Sequence, residues 1–149
     1  MTKGILWVSS RITHPSALSP STFCKWYEDT HIQQVLVLPG LPSALRCEAP
    51  DPQPSPDTPS SCAPWLTIYE MSDVEYRNSA AFRALNGQTA PAQELLDGVF
   101  KNARFDTRFY EEVQCFENPS ASASAVGEGA FFDIRGAAAA DGCAGCGRF

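Results

Sequence analysis

The chain has 149 residues, of which 44% are hydrophobic and 11% aromatic, enough for one packed domain plus a tail and too apolar for a disordered acidic chain. A net charge of −6 at pH 7 excludes a nucleic-acid surface, which needs clustered Lys and Arg, and a polybasic membrane anchor. No run reaches the roughly 18 apolar residues that span a bilayer, and the apolar stretch near Met1 is too short for a signal peptide, so the expected location is cytoplasmic.

Gly4 to Ser10 carries bulky apolar groups on both faces and reads as a buried first strand. Ser19 then supplies a helix N-cap, with Pro20 at the first helical position. This helix runs to about Val35 or Leu38 and stops at Pro39-Gly40. Projected at about 100° per residue, Phe23, Cys24, Trp26, Tyr27, His31 and Val35 share one arc. Lys25, Glu28 and Asp29 fall opposite, with Lys25 and Asp29 spaced to pair. Leu41 to Glu48 reads as the second strand. Residues 49–64 hold six prolines, each lacking a backbone donor, and are expected to form an exposed, extended loop that is neither helix nor inner strand.

Trp65 to Met71 is the third strand, with Leu66, Ile68 and Glu70 on one face and Trp65, Thr67, Tyr69 and Met71 on the other. Asp73 caps a helical stretch through Phe82 to Leu85 that ends at Asn86-Gly87. Pro91 opens a further helical segment, Ala92 to Phe100. Phe105 to Glu117 reads as the fourth strand, with Phe105, Thr107, Phe109, Val113 and Cys115 on one face. The order β-α-β-β-α-β is the split βαβ arrangement. It predicts an α+β, ferredoxin-like domain over residues 1–117, with a four-stranded antiparallel sheet and helices on one face. Burying the other face against a second copy gives a homodimer. A Gly/Ala/Ser-rich tail, residues 118–149, follows.

The six cysteines are scattered and read as free thiols, including Cys47 and Cys62, which flank the proline-rich loop. Cys143-Ala-Gly-Cys146 is a lone pair without the second pair or the histidines a zinc site needs, so no metal is expected. There is no Gly-x-Gly-x-x-Gly, no phosphate loop and no Gly-x-Ser-x-Gly. His31 is one of two histidines, and its place on the apolar arc aims an imidazole inward. It reads either as a general acid/base or as a satisfied core histidine. Tyr27, one turn earlier, and Tyr69 could orient a carbonyl or stabilise an enolate, or simply pack. Trp7, Phe23, Trp26, Trp65 and Phe82 would line an aromatic slot, or form ordinary core. Ser9 and Arg11 continue the first-strand face that holds Ile5 and Trp7. Arg11, Arg46 or Arg108 could fork onto a carboxylate, or sit at the surface or a dimer interface.

The strand, the helix motif Trp26-Tyr27-x-x-x-His31-Ile32, Pro39-Gly40 and Trp65-Leu-Thr-Ile-Tyr69-Glu70 together resemble the dimeric α+β barrel family over about residues 3–117. The closer likeness is to its EthD-like branch, which includes members of fungal polyketide pathways. The resemblance implies a sheet-to-sheet dimer with a pocket between sheet and helices in each subunit, without metal or organic cofactor. It places the family's helix histidine at His31. It leaves only His14 for the second histidine that other members use. Gly129 to Arg135 resembles the first strand of a second barrel copy, which would make the chain a shortened two-repeat relative.

The function expected from this resemblance is a cofactor-independent enzyme of secondary metabolism acting on a polyketide-derived hydrophobic substrate. His31 would move a proton during cyclisation, decarboxylation or isomerisation. The alternatives are a non-catalytic hydrophobic-ligand-binding or stress-response dimeric barrel, and a cofactor-free monooxygenase.

Overall fold

Side chains alternate across a strand, so one sheet face can be apolar core while the other stays open. Four strands, β1 (Gly4–Ile12), β2 (Ala44–Glu48), β3 (Trp65–Met71) and β4 (Ala103–Glu111), form one antiparallel sheet in the order β2-β3-β1-β4. This is the ferredoxin-like α+β architecture read from the element order. The computed structural model describes residues 1–116. The tail with its Cys143-Ala-Gly-Cys146 pair, the strand-like stretch 129–135 and the last expected strand residue, Glu117, lie outside the described residues.

The register fixes which residues share a face. Leu6 stands between Tyr69 and Phe109, Val8 between Thr67 and Thr107, and Ser10 between Trp65 and Phe105. Leu6, Val8, Ser10, Trp65, Thr67, Tyr69 and Met71 are all buried beneath the helices. Ile5, Trp7, Ser9, Leu45, Cys47, Leu66 and Ile68 alternate with them on the other face, where no described element covers them, and are half-buried by their neighbours.

The first helix spans residues 20–36 and opens as its sequence dictates. The Ser19 hydroxyl accepts from the Thr22 amide at 3.2 Å, and Pro20 occupies the first turn, where its missing N–H is no loss. The helix is not uniform. An α-helical Pro20–Trp26 and an α-helical Ile32–Leu36 flank a π turn, Tyr27–His31, closed by the Ile32 amide donating to the Tyr27 carbonyl. Phe23, Tyr27, Ile32 and Val35 press onto the sheet. Lys25 and Asp29 pair on the solvent side at 3.6 Å.

Pro39-Gly40 ends this helix, but Gly40 is required for a second reason. A Cβ there would lie 2.3 Å from Cγ of Tyr76, inside the ring's van der Waals surface. Gly40→Ala should therefore destabilise the protein by about 1–3 kcal/mol, the usual penalty for overpacking, read as a lowered midpoint in a denaturant or thermal melt.

Several boundaries depart from the sequence reading. The second strand starts at Ala44 instead of Leu41, because Leu41 is fully buried in the core and Pro42 has no donor for a ladder. The proline-rich loop was expected to exclude helix, yet it contains one turn, Pro59–Cys62, with Pro59 at the permitted first position. The stretch after Asp73 is two pieces. A 3-10 turn, Val74–Asn78, is capped by Asp73, and Ser79 then caps a short α-helix, Ala80–Arg83, by accepting from the Phe82 amide at 3.1 Å. The last helical segment, residues 93–100, is helical Gln93–Leu95 running into a π turn, Leu96–Phe100. β4 begins at Ala103 and stops at Glu111, opposite Gly4 where its partner strand ends, so Val113 and Phe116 are exposed outside the sheet. Cys47 and Cys62 are free thiols.

Candidate functional site

The helix-covered face of the sheet is not completely filled. A cavity of about 310 Å³ remains between it, the first helix, the last helix and the turn at residues 86–88. Its floor is Leu6, Val8, Tyr69, Phe105 and Thr107 from the sheet. Trp26, Tyr27, His31 and Val35 form one wall, Phe82, Leu85 and Phe100 the others, and Asn86, Gln88 and Arg104 complete the lining. This volume sits at the small end of ligand pockets and suits a body of one or two rings.

Both helices that border the cavity carry a π turn where they line it. In a regular α-helix, residues 26 and 31 point about 140° apart. The extra residue in the Tyr27–His31 turn swings them together, and the Trp26 and His31 rings stack with centroids 5.2 Å apart and planes at 24°. Tyr27 meets the same imidazole edge-on at 5.1 Å. The second π turn, closed by the Lys101 amide on the Leu96 carbonyl, sets Phe100 edge-on to Trp26 at 5.8 Å and 5.4 Å from Phe105. The imidazole is thus held by rings instead of by hydrogen bonds.

That environment determines its charge. Burial among the rings, with the nearby positive charge of Arg46 as a second cause, lowers the His31 pKa to about 4, so the ring is neutral at pH 7. Burial pushes the Tyr27 and Tyr69 hydroxyls above their ordinary range, and for Tyr69 the adjacent Tyr27 adds to the rise. Both phenols are therefore protonated donors. Thr67 and Tyr69 act on the Tyr27 hydroxyl, yet neither tyrosine Oη nor His31 Nδ1 has a hydrogen-bond partner of normal geometry. Three buried polar atoms without a well-formed hydrogen bond are expensive, and such groups ordinarily make one.

Arg46 stands behind Tyr27. Its guanidinium carbon lies 4.3 Å from the Tyr27 ring centroid, and Nη1 donates to Thr67 Oγ1 at 3.0 Å. Its Nε is 3.6 Å from a Glu28 carboxylate oxygen, while Nε and Nη2 have no hydrogen-bond partner. β2 positions this side chain on the helix-covered face opposite Thr67.

The structure brings His31, Tyr27, Tyr69, Trp26 and Phe82 together around the cavity. Phe23 and Trp65 are buried one layer behind it, their rings 5.1 Å apart, with Phe23 5.7 Å from Tyr27. They shape the wall without lining the space. Trp7, Ser9 and Arg11 do not belong to the cavity: they alternate with Leu6, Val8 and Ser10 and lie on the opposite sheet face. A strand apolar on both sides gives no signal of which side meets the helices, and this corrects their expected place. His14 is exposed, with Nδ1 3.1 Å from Thr13 Oγ1, and does not line the cavity. Phe100, Phe105 and Thr107 were not expected as lining residues, although the alternation of β4 already put Phe105 and Thr107 on one face. Among the described residues no cluster of three or more His, Cys, Asp or Glu could hold a metal ion, and no helix is long and apolar enough to cross a membrane.

No family model and no curated protein matches the chain. A solved structure is similar to it: a dimeric ferredoxin-like protein from an uncultured marine organism, with 16% identity and a TM-score of 0.53, covering 78% of this chain and all of that one. At this identity the likeness concerns the fold, which in both chains is ferredoxin-like.

Proposed function

We propose that the protein is a cofactor-independent enzyme that moves a proton on a hydrophobic, polyketide-like carbonyl compound, as the resemblance to the EthD-like branch of the dimeric α+β barrels suggests. One observation carries the reading. A neutral imidazole and two protonated tyrosine hydroxyls, none of them in a hydrogen bond of normal geometry, lie around one aromatic cavity. His31 takes a proton from the carbon next to a carbonyl. Tyr27 and Tyr69 donate to the oxygen on which the electron pair of the broken C–H bond comes to rest. The enolate then recovers a proton at another position, attacks a second carbonyl, or is itself reached by loss of carbon dioxide. Isomerisation, cyclisation and decarboxylation thus share the same stabilised anion. A His31 pKa near 4 keeps the base unprotonated, and the enolate formed beside it favours the imidazolium that proton transfer creates.

The direct test is deuterium exchange at the central carbon of benzoylacetone, an aromatic 1,3-dicarbonyl. The protein should accelerate exchange over buffer, and His31→Ala should not. Exchange no faster than buffer with wild-type protein would reject the reading.

We also propose that two copies pair through the open sheet face. Ile5, Trp7, Leu45, Leu66 and Ile68 form its apolar centre, and the structural neighbour is itself described as dimeric. Trp7→Glu places a charge in that centre and should shift the light-scattering mass from twice 16.2 kDa to the single-chain value. A wild-type protein already at the single-chain mass would refute the pairing.

A further inference from the structure

Among the described residues Arg46 is the cation that touches the catalytic constellation from behind, and the enolate chemistry above does not need it as a ligand. It is four-fifths or more covered, with 16% of its side chain exposed, and its flat guanidinium lies against the ring of the fully buried Tyr27. Its neutralisation is incomplete. Thr67 is an uncharged acceptor, and Glu28 at 3.6 Å is half-exposed and on the solvent side. A buried charge so placed projects its field through the ring and hydroxyl of Tyr27 toward the cavity. It acts on Tyr27, Tyr69 and His31 alike.

We propose that Arg46, through the Tyr27 ring that it covers, makes this cavity a binding site for the ionised form of a weakly acidic hydrophobe, a phenol or the enol of a 1,3-dicarbonyl. The proposal rests on the same site as the enzymatic reading and adds to it a ligand class and a positioning residue. The opposing effect is desolvation, because Val35, Phe100 and Phe105 disfavour any charge in the cavity. On the other side stand the two phenol donors, Tyr27 from the first helix and Tyr69 from β3. The neutral His31 adds no charge of its own. From β4, Arg104 borders the cavity, but it pairs with Arg11 in the strand register and so belongs to the open sheet face, leaving Arg46 as the charge behind the phenols. Among the described residues Glu28 is the carboxylate paired with this group, and it reaches Arg46 and not the cavity. On binding, the ligand O–H breaks and its proton leaves to the buffer, since the buried imidazole does not hold it. The oxyanion remains with the tyrosine donors.

The probe is 4-nitrophenol, whose phenolate and phenol absorb at different wavelengths and which has no carbon acid to exchange. Bound to the wild-type protein it should titrate about one pH unit lower than in buffer, a roughly tenfold preference for the phenolate. Arg46→Met keeps the packing against Tyr27 and should abolish the shift, and Arg46→Lys should restore part of it. Glu28→Gln removes the partial neutralisation and should enlarge it. Damage to the fold cannot produce opposite changes from Arg46→Met and Glu28→Gln. No binding, binding as the neutral phenol, or a shift unchanged in Arg46→Met overturns the proposal. Phenolate binding without benzoylacetone exchange leaves it standing and removes the catalytic reading. Exchange with neutral phenol binding does the reverse.

Discussion

His31→Ala should slow protein-catalysed exchange of benzoylacetone by about 10²–10⁴-fold in kcat/KM, the range that a positioned general base supplies. The imidazole is the one group lining the cavity that is both uncharged at pH 7 and able to take a proton. The two phenols hold theirs more tightly than usual, and the other lining side chains are apolar, amide, hydroxyl or guanidinium. The pH profile gives a second readout. Activity requires the neutral ring, so kcat/KM falls as pH drops through the pKa of the free protein. Burial puts that acid limb near pH 4 instead of near 6.5. Removing the Arg46 charge should move the limb upward, because that charge opposes the imidazolium. An acid limb at the ordinary histidine value would show that the ring is solvated in the working protein. Tight benzoylacetone binding without exchange would instead favour the ligand-binding alternative.

The fold was legible because its signals are local and agree with one another. Ser19-Pro20 marks a helix start, Pro39-Gly40 an end, and the alternation of Trp65 to Met71 a half-buried strand, and all three stand in the structure. What the sequence left open is handedness and relative facing. Gly4 to Ile12 is apolar on both sides, so local pattern does not say whether Trp7 or Leu6 meets the helices. The answer comes from the register with Tyr69 and Phe109, a long-range fact. Trp7, Ser9 and Arg11 were misplaced for that reason.

The site was legible by half. An inward arc at 100° per residue correctly grouped Tyr27 and His31, which are four apart and adjacent in either helix type. It could not anticipate that Trp26 stacks on His31, because the stack depends on a π turn and a 3.6-residue period carries no sign of one. Arg46 was one of three arginines with nothing local to separate them. Only strand pairing puts it opposite Thr67 and under the Tyr27 ring, while Arg108 pairs with Asp106 on an exposed strand. The polar atoms that make the cavity reactive are likewise a property of packing: the rings around His31 leave Nδ1 without a partner, and no residue type in the sequence announces a missing bond.

The same burial should appear as an acid sensitivity of folding. The unfolded chain protonates His31 near pH 6.5, whereas the folded protein resists until about pH 4. Between these values the unfolded state binds a proton that the native state does not, so stability falls as pH falls, by about 1.4 kcal/mol per pH unit at the steepest. The loss over the whole window is up to about 3 kcal/mol, reduced to the extent that the ring meets solvent. Stability from this group is fully present above pH 6.5 and is gone below about 4. The depressed carboxylates Asp73, Asp97 and Asp106 act with the same sign at lower pH. They lose their contribution only as pH drops below the ordinary carboxylate range. Urea melts at pH 7, 5.5 and 4.5 isolate the histidine when His31→Phe is run alongside, because that variant keeps a ring between Trp26 and Tyr27 and cannot titrate. Wild type should lose more stability than His31→Phe across this interval, with the gap widening as pH falls. Equal losses would mean that the imidazole already accepts its proton in the native state, and the neutral base on which both the exchange chemistry and its low acid limb depend would not exist.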